Sequence, residues 1–357
     1  MTRLAVFQEK LASLADAALI TSPKNQFYLS HVDYEDGYLL ILSDAAYLLV
    51  DFRYIEVARR DAAAGFEVIM PEKGMNVALA ALAEKHGLGT LLLEEGDVTL
   101  AARDRLAAAL PKMELRTGAG KLLADMRVCK DERELAAMAA AQELTDVAFS
   151  HILSYIRPGV REVDVALELE MFMRKNGAQG VAFSTIAVSG AASALPHGVP
   201  RKRELEKGFL TMDFGARYGG YCADMTRTVV IGRADPDMRC LYETVLTAQR
   251  AALAAAKAGV GCRAMDAVAR DIIHGAGFVG RFGHSLGHGV GLDIHEAPRL
   301  SAMAPEDAVL RPGHVVTVEP GIYLEGQYGC RIEDMIAVLP DGSIRNFTKS
   351  TKEMLEL

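Results

Sequence analysis

The stretch DFGARYGGYCADMTRT at residues 213–228 decides the fold, because it predicts a tight pair of strands with acidic residues on either side of the turn. Apolar runs at 209–214 and 221–231 predict the two strands, and the glycine-rich segment between them predicts the turn. A hairpin of this kind folds back on itself, so Asp213 and Asp224 can share one face.

A second glycine-rich stretch, GHSLGHGVGLDIHE at 283–296, contains His284, His288 and His295. Its glycines prevent a regular helix and allow backbone and imidazole rings to approach a ligand closely. Taken alone, the stretch is also consistent with a surface loop that carries ordinary histidines. It therefore supplies candidate ligands whose role depends on the neighbouring acidic residues.

Two further carboxylates lie at the ends of predicted strands. Glu319 ends HVVTVE just before a Pro-Gly turn, and Glu333 lies in RIEDMIAV, with Arg331 on its face by period-two alternation. Each carboxylate alone is more often a surface or turn residue. Their apolar strand neighbours argue for burial, where an unpaired charge would be costly.

We therefore expect one buried site that contains Asp213, Asp224, Glu319, Glu333 and one imidazole. Two divalent cations would compensate the negative charge of these carboxylates. An oxygen-dominated ligand set with a single nitrogen suits Mn²⁺ better than a structural Zn²⁺. Two such ions roughly 3.5–4 Å apart would share a bridging water as nucleophile, so the site is predicted to be hydrolytic.

Composition excludes several classes of function. A net charge of −8 over 357 residues argues against sequence-independent nucleic-acid binding. No run approaches the ~18 apolar residues of a membrane span, and Glu9, Lys10 and Asp16 interrupt the N-terminal segment, which lacks a signal-peptide core. Five cysteines without a CxxC pair argue against a disulfide framework. We expect a cytoplasmic protein with no nucleic-acid or membrane partner.

The chain is expected to form two domains, 1–125 and 126–357, divided in the charge-rich segment LLADMRVCKDERE at 122–134. Strands alternate with helices before it, which predicts a small α/β domain, and we detect no internal repeat. The predicted strands are 17–20, 38–42, 46–50, 66–70, 90–94, 209–214, 221–231, 315–318 and 331–339, and the predicted helices are 53–63, 76–86, 99–110, 132–155, 163–176, 241–259 and 263–275.

The motifs quoted above, with RPGHVVTVEPGIY at 311–323 and GCRIED at 329–334, resemble the metallopeptidase family of Xaa-Pro dipeptidase (prolidase), Xaa-Pro aminopeptidase and methionine aminopeptidase. IAVSGAASALPHG at 186–198 matches as well, and NQFYLSHVDYEDGYLLIL at 25–42 looks like the domain that precedes the catalytic one in the Xaa-Pro subgroup. The resemblance implies an α+β protein with a C-terminal pita-bread (creatinase/aminopeptidase-like) catalytic domain and a smaller N-terminal α/β creatinase-like domain.

The same resemblance implies the arrangement of the metal ligands. Asp213 would be the bidentate ligand of one metal, Asp224 and Glu333 would bridge the two, and His288 and Glu319 would complete the second. The cofactors would be two divalent ions per subunit. Mn²⁺ is the expected metal, with Co²⁺, Zn²⁺ and Fe²⁺ as alternatives.

Further roles follow from the resemblance. His197 would contact the substrate near the scissile bond, and His295 would hydrogen-bond the scissile carbonyl and stabilise the tetrahedral intermediate. His284 would belong to the substrate pocket. Glu319 would carry a proton from the water to the leaving amine, and Arg331 would support the ligating carboxylates.

Arg299 is the candidate specificity residue, because similar dipeptidases place an Arg four residues after the position of His295 to pair with the substrate's C-terminal carboxylate. A surface arginine on a loop is the alternative. Related aminopeptidases that accept longer peptides can also carry a basic residue here.

The resemblance thus implies hydrolysis of the bond between an N-terminal residue and proline, in a dipeptide or short peptide, by a homodimer. An Xaa-Pro aminopeptidase that acts on longer peptides is the first alternative. Methionine aminopeptidase is disfavoured by the full N-terminal domain, and creatinase by the complete ligand set. A non-catalytic binding protein on the same fold is the alternative from another class.

Overall fold

A computed structural model describes residues 2–357 and divides the chain into two compact units, 1–126 and 127–357. The division falls one residue after the predicted boundary. Among the described residues, no helix is long and apolar enough to cross a membrane.

The first unit is built on one six-stranded sheet. Its helices are α1 (Arg3–Leu11), α2 (Pro23–Ser30), α3 (Ile55–Asp61), α4 (Met75–His86), α5 (Leu100–Ala109) and α6 (Ala119–Arg127), and its strands are β1 (Ala17–Ile20), β2 (Gly37–Leu42), β3 (Ala46–Val50), β4 (Glu67–Ile69), β5 (Thr90–Leu93) and β6 (Glu114–Thr117). The strand order is β4-β3-β2-β1-β5-β6. Every residue of β1 is buried, as expected of a central strand covered on both faces.

The second unit has four long helices and several antiparallel sheets. Its elements are α7 (Glu132–Tyr155), α8 (Glu162–Lys175), β7 (Gly180–Val181), β8 (Ile186–Ser189), a 3₁₀ helix (Gly190–Ala194), β9 (Gly208–Phe214), β10 (Ala216–Tyr218), β11 (Tyr221–Cys222), β12 (Met225–Ile231), α9 (Pro236–Ala255), α10 (Cys262–Gly275), β13 (Gly287–Gly289), β14 (Glu296–Leu300), β15 (Val315–Val318), β16 (Gly321–Leu324), β17 (Tyr328–Arg331), β18 (Asp334–Val338) and β19 (Ile344–Asn346). The sheets that position the site have the orders β12-β9-β8 and β14-β13-β15-β18-β19.

The helix pairs α7–α8 and α9–α10 form a structural repeat that the sequence analysis missed. Each pair is joined by a turn with a left-handed glycine, Gly159 at φ 86° and Gly259 at φ 85°, followed in both cases by valine. The buried apolar residues that occupy equivalent positions are Val165, Leu169 and Met173 in α8, and Met265, Ala269 and Ile273 in α10. Because burial selects apolar shape rather than identity, little sequence similarity remains between the two copies.

Three predicted elements differ from the structure by more than one or two residues at an end. The strand predicted over 221–231 is divided into β11 and β12, which lie in different sheets. Helix α9 begins at Pro236 rather than 241, because Asp235 caps it and accepts a hydrogen bond from the Met238 N–H at 2.8 Å. The strand predicted over 331–339 is broken, since β17 ends at Arg331 and β18 begins three residues later in a different sheet.

Candidate metal centre and active site

The hairpin of β9 and β12 carries the first two acidic residues, as the sequence predicts. Asp213 lies in β9 opposite Thr226, and Asp224 directly precedes β12. A side chain at Gly215 would place its Cβ 1.8 Å from the Ala223 carbonyl oxygen. Glycine is therefore required there for the hairpin to close.

The other ligand candidates come from the five-stranded sheet. Val318 of β15 pairs with Asp334 of β18. Because the strands are antiparallel, Glu319 and Glu333 continue this pairing at the same end of the sheet. His288 lies in β13, which pairs with β15.

The imidazole of His288 lies between carboxylates. Its Nε2 is 3.5 Å from Asp224 Oδ2 and 3.4 Å from Glu319 Oε1. Ligand atoms of Asp224, His288 and Glu333 lie within 4.8 Å of one another, and all three residues are buried. Burial lowers the pKa of His288 to about 4, and its Nδ1 lies 3.1 Å from the Gly289 carbonyl oxygen. A neutral ring that donates from Nδ1 presents the Nε2 lone pair to a cation.

The carboxylates around His288 are electrostatically unfavourable as anions without a cation. Burial, together with the charge of Glu333, raises the pKa of Asp224 well above its ordinary value. Burial and the charge of Glu319 likewise raise the pKa of Glu333 well above its ordinary value. Burial raises the pKa of Glu319 to about 8. A divalent cation would reverse these shifts, so this oxygen-rich donor set fits such an ion.

Asp213 joins the cluster through Arg331. The guanidinium donates from Nη2 to Asp213 Oδ2 at 2.7 Å and from Nε to Thr226 Oγ1 at 2.9 Å. Thr226 Oγ1 in turn donates to Glu333 Oε2 at 2.7 Å. Asp213 Oδ1 is buried and has no hydrogen-bond partner among the described residues. A bound cation would satisfy this oxygen.

A cavity of about 310 Å³ opens over the cluster. It is lined by Asp213, Asp224, His288, Glu319, Glu333 and Arg331 and by the four remaining predicted site residues, His197, His284, His295 and Arg299. The rings of His295 and His288 are 4.3 Å apart and nearly perpendicular. Every candidate site residue predicted from the sequence therefore lines one cavity.

Arg299 and His288 are direct cross-strand partners in the β13–β14 pair. Side chains opposite each other in an antiparallel pair project from the same face. The register shifts between His288 and Gly289, where Gly289 pairs with Glu296. The pairing places Arg299 beside His288, and both residues line the cavity.

His284 uses both ring nitrogens within the protein. Nδ1 lies 2.9 Å from the Ser285 carbonyl oxygen, and Nε2 lies 2.9 Å from the Tyr323 hydroxyl. Arg331 Nη1 donates to the same hydroxyl at 2.8 Å. Burial lowers the pKa of His284 to about 4, so the neutral ring is part of the cavity wall.

Sequence reasoning missed three polar residues that hold the cluster. Thr226 lies two residues after Asp224, so period-two alternation could have identified it. Thr317 donates to Glu319 Oε1 at 3.2 Å and has the same period-two relation to that residue. Tyr323 lies in the β16–β17 hairpin, for which the sequence offered only the Pro-Gly turn.

This geometry defines a class, namely a metal-dependent hydrolase whose buried carboxylates and single imidazole face a small cavity within a pita-bread fold. The chain belongs to metallopeptidase family M24, which matches residues 136–340, and residues 3–129 match the Creatinase/Prolidase N-terminal domain. Members of this family use divalent metals. The fold and the enzyme class implied by the motifs are thereby confirmed.

The similarity to known proteins extends over nearly the whole chain. An Xaa-Pro dipeptidase of Pyrococcus horikoshii is 37% identical over 342 residues, which cover 95% of this chain and 94% of the relative. The structure of an Xaa-Pro dipeptidase from Bacillus anthracis is 39% identical with a TM-score of 0.94, covering 99% of this chain and 100% of the other. An X-Pro aminopeptidase from Thermotoga maritima MSB8 is 36% identical with a TM-score of 0.92, covering 98% and 99%.

Proposed function

We propose that this chain hydrolyses the peptide bond between an N-terminal residue and proline, as a dipeptidase that releases free proline. The observation that carries the proposal is the convergence of the proposed metal-binding cluster, three further histidines and Arg299 on one small cavity. Similar Xaa-Pro dipeptidases support this substrate class. The similar X-Pro aminopeptidase makes action on longer peptides the alternative.

Two divalent ions would be held by five residues, namely Asp213, Asp224, His288, Glu319 and Glu333. We propose Mn²⁺ for the oxygen-rich set, with Co²⁺, Zn²⁺ and Fe²⁺ as alternatives. When bound, such ions polarise a carbonyl and lower the pKa of water. Arg331 would keep Asp213 and, through Thr226, Glu333 in place.

The chain's own residues would perform the remaining steps. His295 would donate a hydrogen bond to the oxyanion that develops on the scissile carbonyl, and His197 would contact the substrate beside it. Burial, followed by the charge of Arg299, lowers the pKa of His295, so its ring is neutral at neutral pH and keeps one N–H to donate. The Glu319 carboxylate would take the proton from the attacking water and give it to the proline nitrogen as the bond breaks.

Arg299 would set the length of the substrate. Its guanidinium lies on the cavity wall, opposite His288 in the β13–β14 pair. A planar guanidinium binds a carboxylate with two parallel hydrogen bonds, which suits the C-terminus of a dipeptide. The cavity volume of about 310 Å³ is at the small end for ligand sites and favours a short substrate.

The test is a comparison of Ala-Pro, Ala-Pro-Ala and Ala-Pro-amide after Mn²⁺ loading, with Ala-Ala as control. We expect kcat/KM to be highest for Ala-Pro, lower for the tripeptide and the amide, and lowest for Ala-Ala. Equal hydrolysis of the tripeptide would favour the aminopeptidase. Equal hydrolysis of Ala-Ala would contradict the specificity for proline.

We also propose that the protein acts in the cytoplasm as a homodimer. The resemblance to Xaa-Pro enzymes supports this proposal. Sedimentation equilibrium of the metal-loaded protein tests the assembly, and a single species of monomer mass would contradict it.

The alternative from another class, a non-catalytic binding protein on the same fold, would show no dependence of its melting temperature on Mn²⁺.

A further inference from the structure

A largely buried cluster of ion pairs includes the residue that follows His295. Glu296, the next residue, has a side chain only 8% exposed. Lys130 Nζ donates to Glu296 Oε2 at 2.9 Å, and Arg127 Nη2 donates to Oε1. Arg127 Nη2 also bonds Asp293 Oδ2 at 2.6 Å. We call Arg127, Lys130, Asp293 and Glu296 the loop clamp.

Backbone hydrogen bonds connect the loop clamp to the metal site. The Asp293 N–H donates to Glu296 Oε1 at 3.1 Å, and the Gly291 N–H donates to the Asp293 carbonyl at 2.9 Å. The Gly291 carbonyl accepts from the Cys222 N–H at 2.8 Å, two residues before Asp224. A Cβ at Gly291 would lie 2.5 Å from Glu296 Oε2, so the carboxylate folds closely over the loop.

The charges of the loop clamp balance. Burial would raise the pKa of Glu296, but the charges of Lys130 and Arg127 overcome it and lower the pKa below its ordinary value. The Lys130 side chain is 1% exposed and that of Arg127 is 9% exposed. Removing one partner of such a buried pair leaves its counterpart as an uncompensated buried charge, which is destabilising. We expect the segment to shift so that this charge reaches water.

We infer that Lys130 and Arg127 are positioning residues that act through Glu296 to hold His295 at the scissile bond. The residues that line the cavity include His295 but none of Arg127, Lys130 and Glu296, so the loop clamp does not touch the substrate. The inference rests on the proposed role of His295 as oxyanion donor. A displacement of about 1 Å can cost roughly 10²-fold in rate, which is enough to make the loop clamp matter for turnover.

The test is a double-mutant cycle on the Mn²⁺-loaded enzyme, using Lys130→Met with and without His295→Ala. We expect Lys130→Met alone to lower kcat for Ala-Pro about 10- to 100-fold, with KM and metal content nearly unchanged. In the His295→Ala background it should have almost no further effect, because the group it positions is gone. Lys130→Arg should restore most of the kcat.

Two further variants separate positioning from general stability. Arg263→Met is the control. Arg263 donates hydrogen bonds to the Ala304 carbonyl and to Glu306, which lie outside the loop clamp, so this variant should leave kcat unchanged. If Lys130→Met does not fold, Glu296→Gln takes its place in the test. This variant keeps the side-chain shape and should show the same loss of kcat. If the losses of kcat caused by Lys130→Met and His295→Ala were additive, the inference would be overturned but the proposed function would stand. A His295→Ala variant with unchanged kcat would overturn the proposed role of His295 and the inference with it.

Discussion

Glu333 is the residue on which the charge balance of the site depends most directly. It is 1% exposed, its Oε2 accepts from Thr226 Oγ1 at 2.7 Å, and its N–H donates to the Thr226 carbonyl at 3.1 Å. Burial and neighbouring negative charge raise its pKa, as they do for Asp224. Both carboxylates thus lie buried beside other negative charges, which makes them informative positions for substitution.

Replacing Asp224 or Glu333 by Ala should abolish hydrolysis and lower the bound metal per chain, because each is proposed to contact both ions. His288→Ala should lose mainly one ion, since it is proposed to ligate only one. Elemental analysis after gel filtration measures the stoichiometry. Near-normal turnover with two ions still bound would contradict the ligand assignment of the substituted carboxylate.

Arg299→Ala should reduce kcat/KM for Ala-Pro about 10- to 150-fold, because a charge-assisted hydrogen bond is worth roughly 1.5–3 kcal/mol. Ala-Pro-amide should lose far less, since it never forms the ion pair. Steady-state kinetics on Ala-Pro and on Ala-Pro-amide measures both losses of kcat/KM. Equal losses would mean that Arg299 only supports the β13–β14 strands.

At the scale of elements, pairings between neighbouring segments could be predicted from the sequence, whereas contacts between segments far apart in the sequence could not. The β9–β12 pairing could be predicted because both strands, and the glycine turn between β10 and β11 that separates them, lie in one contiguous stretch of sequence. The β13–β14 pair could not, since its three-residue strand has no periodicity and its bulge depends on packing against β15. The residues proposed as ligands could nevertheless be singled out, because their chemical type and motif are local properties, and all five line one cavity. Lys130 was not linked to Glu296, a partner 166 residues away.

The β9–β12 hairpin should be intolerant of a side chain at Gly215. Gly215→Ala would force a Cβ against the Ala223 carbonyl oxygen, and overpacking of this kind costs about 1–3 kcal/mol. We expect a lower melting temperature and weaker metal binding, because Asp213 and Asp224 flank the contact. Gly275→Ala, at the end of α10 with nothing within 4 Å of the new Cβ, is the matched control and should be neutral or stabilising. Equal melting temperatures for the two variants would contradict this explanation.

At the scale of the whole molecule, buried ion pairs make stability depend on pH. Glu162 at the start of α8 is fully buried and bonds Arg201, with Nη2 2.6 Å from Oε1. Burial would raise the pKa of Glu162, but Arg201 and the Ser189 N–H lower it below the ordinary value of 4.5. A carboxylate with a depressed pKa stabilises the fold above the unfolded pKa and loses this contribution as the pH falls through the folded one.

The melting temperature should therefore fall as the pH is lowered from about 7 to about 3. Glu162→Gln should melt below the unmodified chain near pH 7, and the difference should shrink below about pH 4.5, where the carboxylate of the unfolded chain is protonated. Thermal melts of both Mn²⁺-loaded proteins across this range measure it. A difference that stays constant with pH would show that Glu162 stabilises by packing rather than by charge.

The central claim, a metal-dependent hydrolase of Xaa-Pro dipeptides, is tested most directly by titrating the metal-free chain with Mn²⁺ while measuring proline release from Ala-Pro. We predict no release without metal and a rise to a plateau once two ions are bound per chain. Full activity in the metal-free chain, or no proline release at any Mn²⁺ load, would contradict the account.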